Sequence, residues 1–361
     1  MTVQTIGGDT MTFSCGLSMK NRFMLAPMTN TQSHDNGALS DDEFTWLTKR
    51  SIGGFGLTMT CAAHVQEVGR GFAGQLGIFS DALLPGHRRL ASAIRTEGSL
   101  AVIQLHHAGL RSPQTLISGA PVAPSAHEKS GARALTTQEV ENLRDDFVAA
   151  AVRAQKAGYD GVQIHGAHGY IIAQFLSAKY NLRSDQYGGS LDNRNRLLLE
   201  IIEGVRAQCG PGFLLGVRLS PERFGMRLPD ILSVSQQLLD EGRLDFLDLS
   251  LWDCFKQPEE LDQRHLSLLD HVLTLRRGAT RLTVAGKIHT ADDVRRILDA
   301  GIDFVTIGRA AILHHDYPER VMADPGFVPV ALPVSVAHLQ QEGLGPAFVE
   351  YMRRWDGFVA E

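Results

Sequence analysis

The chain has 361 residues, 43% of them hydrophobic and 21% charged, which is ample material for a large packed core and excludes a disordered or fibrous chain. The formal net charge is -5, with 35 basic residues scattered among 40 acidic ones, so no basic stripe is available to hold a phosphate backbone and nucleic acid is excluded as a partner. Cys15, Cys61, Cys209 and Cys254 stand too far apart for a CxxC site, and with neither an 18-residue apolar run nor a basic-then-apolar leader the chain reads as cytoplasmic, with no membrane contact.

Eight short apolar, β-rich runs follow one another along the chain: Met24 to Met28, Gly56 to Thr60, Ala101 to Leu105, Gly161 to His165, Leu214 to Leu219, Phe246 to Ser250, Arg281 to Ala285 and Phe304 to Ile307. Amphipathic stretches separate them. Several begin at capping-box spacings, Ser40 to Glu43, Thr136 to Glu139 and Thr290 to Asp293, where the first hydroxyl can accept a backbone N–H. The stretch from about Thr137 to Ala157 places Val140, Leu143, Phe147, Val148, Ala151 and Val152 on one face, and Gly158 ends it. Runs such as Val-Gln-Ile-His suit parallel strands covered by helices, and eight such units predict an α/β fold, a (β/α)8 TIM barrel, over an open doubly wound sheet. With no linker composition anywhere, residues 1–361 read as one domain with an extension at about 326–361. The surplus length falls in long connections, Ala108 to Leu135, Gly166 to Asn193 and Leu251 to Asp262, all after strand C-terminal ends, where a barrel keeps its site.

The chemistry-bearing residues lie at those ends. Thr29 follows the first strand, Gln104 closes the third and Arg218 sits in the fifth; a hydroxyl, an amide and a guanidinium suit a flat heteroaromatic ring, whereas a plain ion pair from Arg218 to Asp248 would explain the arginine structurally. The fourth strand ends in His165-Gly-Ala-His-Gly-Tyr170, two imidazoles and a phenol that can converge on one small acceptor. Tyr170 can donate a proton but is a poor base. The same histidines could instead ligate a metal. The loops after the seventh and eighth strands carry Gly286 and Gly308-Arg309, a pair that in barrels often holds a phosphate through backbone N–H groups and the positive end of the next helix; the bland alternative is that both glycines turn the chain. His106-His107 and His314-His315 are assigned to loop or helix-end structure.

Met24-Leu-Ala-Pro-Met-Thr29, Gly77-Ile-Phe-Ser-Asp81, Gln104-Leu-His-His-Ala-Gly109, the His165 to Tyr170 run, Asp185-Gln-Tyr-Gly-Gly-Ser190 with Asn193-Arg194, and Ile307-Gly-Arg309 occur in this order. In these motifs the chain resembles the old yellow enzymes, FMN-dependent NAD(P)H:enone oxidoreductases, over nearly its whole length. The resemblance implies a single barrel holding FMN. Pro27, Met28, Thr29 and the backbone at Ala62 would contact the flavin, Gln104 its pyrimidine edge, and Arg218 the N1 and C2 carbonyl side, where a fixed charge tunes the potential. Gly286, Gly308 and Arg309 would hold the phosphate. It further implies a ping-pong reaction in which NADH or NADPH delivers a hydride through flavin N5 to a small-molecule enone-type substrate. His165 and His168 would bind the substrate oxygen, and Tyr170 would protonate the α-carbon.

Two features bear on which branch of the family the chain resembles. One bacterial subgroup has cysteine and tyrosine where Thr29 and Thr31 stand, so the potential and substrate clamping should differ. The segment Tyr351-Met-Arg-Arg-Trp355 is loosely similar to a subgroup in which a terminal arginine enters the neighbouring subunit's site, which would make Arg353 or Arg354 part of a homo-oligomer; a solvated amphipathic helix packing Phe348, Tyr351, Met352 and Trp355 is the plainer account. The rival function is a metal-assisted barrel hydrolase or lyase using the His165/His168 pair.

Overall fold

The computed structural model describes residues 5–361. Eight parallel strands close a barrel: β1 Phe23–Leu25, β2 Leu57–His64, β3 Leu100–His106, β4 Gly161–Gly166, β5 Leu214–Leu219, β6 Phe246–Ser250, β7 Arg281–Ala285 and β8 Phe304–Ile307. Each pairs with its sequence neighbours, and β8 closes onto β1. This is the barrel the strand pattern predicts, because a parallel strand needs a crossover and the amphipathic stretches between the runs supply it.

Alternation along the strands sorts the side chains into two shells. Val162, Ile164, Val217, Leu247, Leu249 and Val305 belong to the large apolar layer beneath the surrounding helices. Met24, Leu57, Met59, Val102, Leu214, Phe246 and Phe304 form a separate cluster inside the barrel. A hairpin not anticipated from sequence, Met11–Thr12 against Ser18–Met19, closes the lower mouth by adding Met11, Phe13 and Met19 to that cluster. The rings of Phe13, Phe246 and Phe304 meet pairwise at 5.9 Å, and a side chain at Gly216 would collide with Phe246. Only glycine fits there. The inward positions one step higher are polar, Gln104, Gln163, Asp248, Thr283 and Thr306, all buried. The barrel thus has an apolar floor and a polar middle layer, and its upper end is left for chemistry.

The helix over Thr137–Lys156 carries the full capping box from Thr136 and Glu139, and Thr290 with Asp293 does the same for Ala291–Asp299. At Asp41–Ile52 the Ser40 hydroxyl caps the Glu43 N–H, but the Glu43 carboxylate is drawn elsewhere. Buried, it accepts from Asn30 Nδ2 at 3.1 Å and from the Ser33 hydroxyl, so it pins the loop that follows β1. Among the described residues no helix is long and apolar enough to cross a membrane.

The segment after residue 325 folds back over the upper end. Arg50, fully buried and stacked on Trp46, donates to the carbonyls of Ala311 and Glu342, and Phe348 packs edge-on against Trp46 at 4.8 Å. Gly345 N donates to Gln32 Oε1 (2.8 Å), and the Thr31 hydroxyl donates to Ala347 O (3.2 Å). Those contacts deliver the helix Pro346–Arg353 to the rim of the barrel.

Candidate active site

A cavity of about 340 Å³ opens at the C-terminal ends of the strands. The residues assigned from sequence to the flavin and the substrate all line it: Pro27, Met28 and Thr29 after β1, Ala62 on β2, Gln104 on β3, His165, His168 and Tyr170 from the end of β4, Arg218 on β5, Gly286 after β7, and Gly308 and Arg309 after β8, whereas Arg353 and Arg354 do not. A register shift between Met59 and Ala62 marks a bulge in β2, where the Thr60 hydroxyl accepts from Gln104 N at 3.3 Å. Bulges of this kind re-aim side chains beside sites, here bringing Ala62 to the cavity wall.

Buried Asp248 organises the polar layer beneath the cavity. Gln163 Nε2 donates to its Oδ2 (3.1 Å), and Gln104 Nε2 donates to Gln163 Oε1 (2.7 Å). A carboxylate accepts from its neighbours, so the direction of both amides follows from it, and Gln104 is left with its oxygen unpartnered at the cavity. Arg218 Nε lies 3.2 Å from Asp248 Oδ2, an ion pair whose angle leaves the Nε–H without a hydrogen-bond acceptor. Arg218 is therefore paired with Asp248 and also faces the cavity. Burial pushes the Asp248 carboxyl up, while Arg218 and Gln163 pull against that shift.

His165 Nε2 lies 2.9 Å from His168 Nδ1, and His168 Nε2 lies 2.8 Å from Ser250 Oγ. His168 occupies the left-handed region at φ 59°, rare for a residue with a Cβ, and Ser220 Oγ holds its backbone N–H at 3.0 Å. The Tyr170 ring sits 5.0 Å from that of His165 and 6.5 Å from that of His168. Burial pushes both imidazoles down, His168 to about 3, so both are neutral at physiological pH. Tyr170 is pushed up by burial, with the Arg111 guanidinium, 4.8 Å from its ring centre, opposing the shift.

The two glycine loops differ. A Cβ on Gly286 would meet the backbone of Asp253 and Cys254 at 2.9 and 3.0 Å, so close passage of the loop after β6 is reason enough for glycine there. At Gly308 the nearest protein atom to an added Cβ is Met28 Sδ at 3.9 Å, which leaves open space on the cavity side. Arg309 makes no ion pair among the described residues. The helix it begins, Arg309–Leu313, is only five residues long, so its dipole is weak and the guanidinium fork would be the stronger ligand for a phosphate. These features fit a flavin mononucleotide: an unpartnered amide oxygen and a cation at a ring's polar edge, apolar walls from Ala26, Pro27 and Met28, and a free fork beside an open glycine at the other end.

Sequence reasoning missed part of this wall. Ser250 and Trp252 come from β6 and its loop, and Lys287 and His289 from the loop after β7; Lys287 is ion-paired with Asp253 at 3.0 Å. Tyr351, Met352 and Trp355 reach the cavity from the C-terminal segment, Trp355 remaining 41% exposed. His106 does not belong with loop structure: it ends β3, buried, with Nδ1 2.9 Å from His165 Nδ1. The strand-end rule applied to His106 would have found it. Among the described residues no three His, Cys, Asp or Glu side chains converge as a metal-ligand set.

A sequence model of the NADH:flavin oxidoreductase / NADH oxidase family matches residues 13–324. The probable NADH-dependent flavin oxidoreductase YqiG of Bacillus subtilis is 35% identical over 324 residues, 87% of each chain. The NADH:fumarate oxidoreductase of Klebsiella pneumoniae is 32% identical over 328 residues, 85% of this chain; the match spans about a third of that protein's length (35%). Among solved structures, the old yellow enzyme homologue from Zymomonas mobilis superposes with a TM-score of 0.79 at 29% identity, covering 92% of this chain and 96% of the other.

Proposed function

The chain belongs to the NADH:flavin oxidoreductase / NADH oxidase family, the old yellow enzymes, and on that premise we propose that it reduces the activated C=C bond of α,β-unsaturated carbonyl compounds at the expense of NADH or NADPH. FMN, when bound, would supply hydride transfer between the nicotinamide and the second substrate. The observation that carries the reading is the convergence of His165, His168 and Tyr170 at the end of the cavity that Gln104 and Arg218 also face.

Gln104 offers its amide oxygen to a ring N–H, and Arg218 sets a fixed positive charge at the ring edge, kept in place by Asp248. The open side of Gly308 and the Arg309 guanidinium receive the phosphate. Neutral His165 and His168 exchange the bonds they make to each other and to Ser250 for hydrogen bonds donated to the substrate carbonyl oxygen, which gains negative charge as hydride reaches the β-carbon; donors held in a water-poor pocket stabilise that charge more than water does. The Tyr170 proton then goes to the α-carbon. Burial keeps the phenol protonated at neutral pH, so it acts as acid and not as base, and Arg111 over its ring steadies the phenolate until solvent returns the proton.

Anaerobic stopped-flow on Tyr170→Phe separates the two half-reactions. Reoxidation by 2-cyclohexenone should slow by about 10²-fold or more, the weight of a general acid, while reduction by NADH or NADPH is largely preserved. Equal losses in both halves would remove Tyr170 as the proton donor. Conjugated carboxylates belong in the same panel, because one relative is named for fumarate.

A further inference from the structure

Three imidazoles stand in series behind and beside the cavity. His106 Nδ1 lies 2.9 Å from His165 Nδ1, His165 Nε2 lies 2.9 Å from His168 Nδ1, and His168 Nε2 lies 2.8 Å from Ser250 Oγ, which also accepts from Arg218 Nη2 at 3.3 Å. Burial pushes all three imidazoles down, so each ring is neutral and carries one proton. In such a string each nitrogen-to-nitrogen gap holds one proton, and the tautomer of one ring sets the next.

Only two arrangements keep every bond. In one, the protons sit on His106 Nδ1, His165 Nε2 and His168 Nε2, all pointing toward Ser250. In the other, they sit on His106 Nε2, His165 Nδ1 and His168 Nδ1, with the Ser250 hydroxyl donating to His168. The ends of the string decide between them. His106 Nε2 is buried with no partner, so the second arrangement would bury an N–H without an acceptor, whereas the first leaves only an unused lone pair there, the more tolerable defect. Ser250 lines the cavity and can accept from His168 while turning its own proton toward the cavity.

We propose that His106 is a positioning residue, which by donating from Nδ1 to His165 holds both His165 and His168 as Nε2–H donors. The Nε2 edges of both rings then carry N–H groups, given within the protein to His168 Nδ1 and Ser250 Oγ and available to a carbonyl oxygen that displaces those acceptors, and not lone pairs, which would repel it. His106 itself does not line the cavity and acts only through His165. The use of these donors rests on the carbonyl-reducing role proposed above; the assignment of the protons does not.

The test is two-bond 15N–1H correlation spectroscopy of 15N-histidine-labelled, FMN-loaded protein without substrate, which distinguishes protonated from bare ring nitrogens. His165 and His168 should show bare Nδ1 and protonated Nε2, and His106 the reverse. In His106→Leu the His165 nitrogens should shift toward tautomer-averaged values and the KM for 2-cyclohexenone should rise roughly three- to ten-fold, the weight of one neutral hydrogen bond. His106→Gln, whose amide can donate to His165 Nδ1, should restore both. A His165 protonated on Nδ1 in the unaltered protein, or unchanged His165 shifts in His106→Leu, would overturn the proposal. If His106→Leu does not fold, the spectrum of the unaltered protein decides alone. Correct tautomers in a protein that fails to reduce enones would refute the assigned activity and leave the role of His106 standing.

Discussion

Replacing Arg218 by methionine leaves the Asp248 carboxylate buried with Gln163 Nε2 as its one remaining side-chain hydrogen bond. At 3.2 Å and an effective dielectric of about 20, the lost attraction is about 5 kcal/mol. Removing one partner of a buried pair costs about 3–5 kcal/mol, because the survivor has given up water without compensation. The double variant Arg218→Met, Asp248→Asn carries no orphaned charge, and its amide oxygen can still accept from Gln163, so its loss should be only about 1–2 kcal/mol. Urea unfolding of FMN-free protein at pH 7 measures both. The single variant should also respond to pH: its orphaned carboxyl has a folded pKa above the unfolded value, so the folded state binds the extra proton and the deficit shrinks as pH is lowered toward 5. FMN affinity should fall in both variants, since the ring-edge cation is gone from each. A loss under about 1 kcal/mol for Arg218→Met, or a double variant as unstable as the single one, would refute the account of Asp248 as a carboxylate held by that guanidinium.

Other predictions follow from the same geometry. Burial holds His64 and His87 down to about 4 and His107 to about 3, against about 6.5 unfolded, so between these values the unfolded chain binds more protons and stability falls as pH drops below 6.5, by up to about 1.4 kcal/mol per pH unit for each histidine; a flat profile of urea midpoints from pH 7 to 4.5 would contradict this. Gly286→Ala should cost about 1–3 kcal/mol in denaturation midpoint even without FMN, because its Cβ meets backbone of the loop after β6 and not a flexible side chain. Met352→Ala, at a buried position, should cost about 2–5 kcal/mol, whereas Trp355→Ala at the cavity rim should cost less than about 1 kcal/mol and be read mainly in the KM for the second substrate.

The alternation of strand and helix, the cavity at the strand ends and its polar lining from Thr29, Gln104, His165, His168, Tyr170 and Arg218 could be read along the chain, because each depends on local pattern: short β-rich apolar runs, capping residues at helix starts, and polar side chains where a strand ends, whereas Pro27, Met28 and Ala62 came only through the resemblance. What escaped depends on contacts distant in sequence. Glu43 looks like half of a capping box, yet its carboxylate is taken by Asn30 and Ser33 once the loop after β1 folds over it. His106 looks like a loop histidine, and only the pairing of β3 with β4 brings it against His165. Tyr351, Met352 and Trp355 lie beyond the last strand and become cavity wall because buried Arg50 and the loop after β1 hold their segment in place. The sequence by itself determined which groups the strand ends would offer. Closure of the barrel decided which way each group faces, since amide direction, imidazole tautomer and the pairing of a buried carboxylate are set by neighbours on other strands.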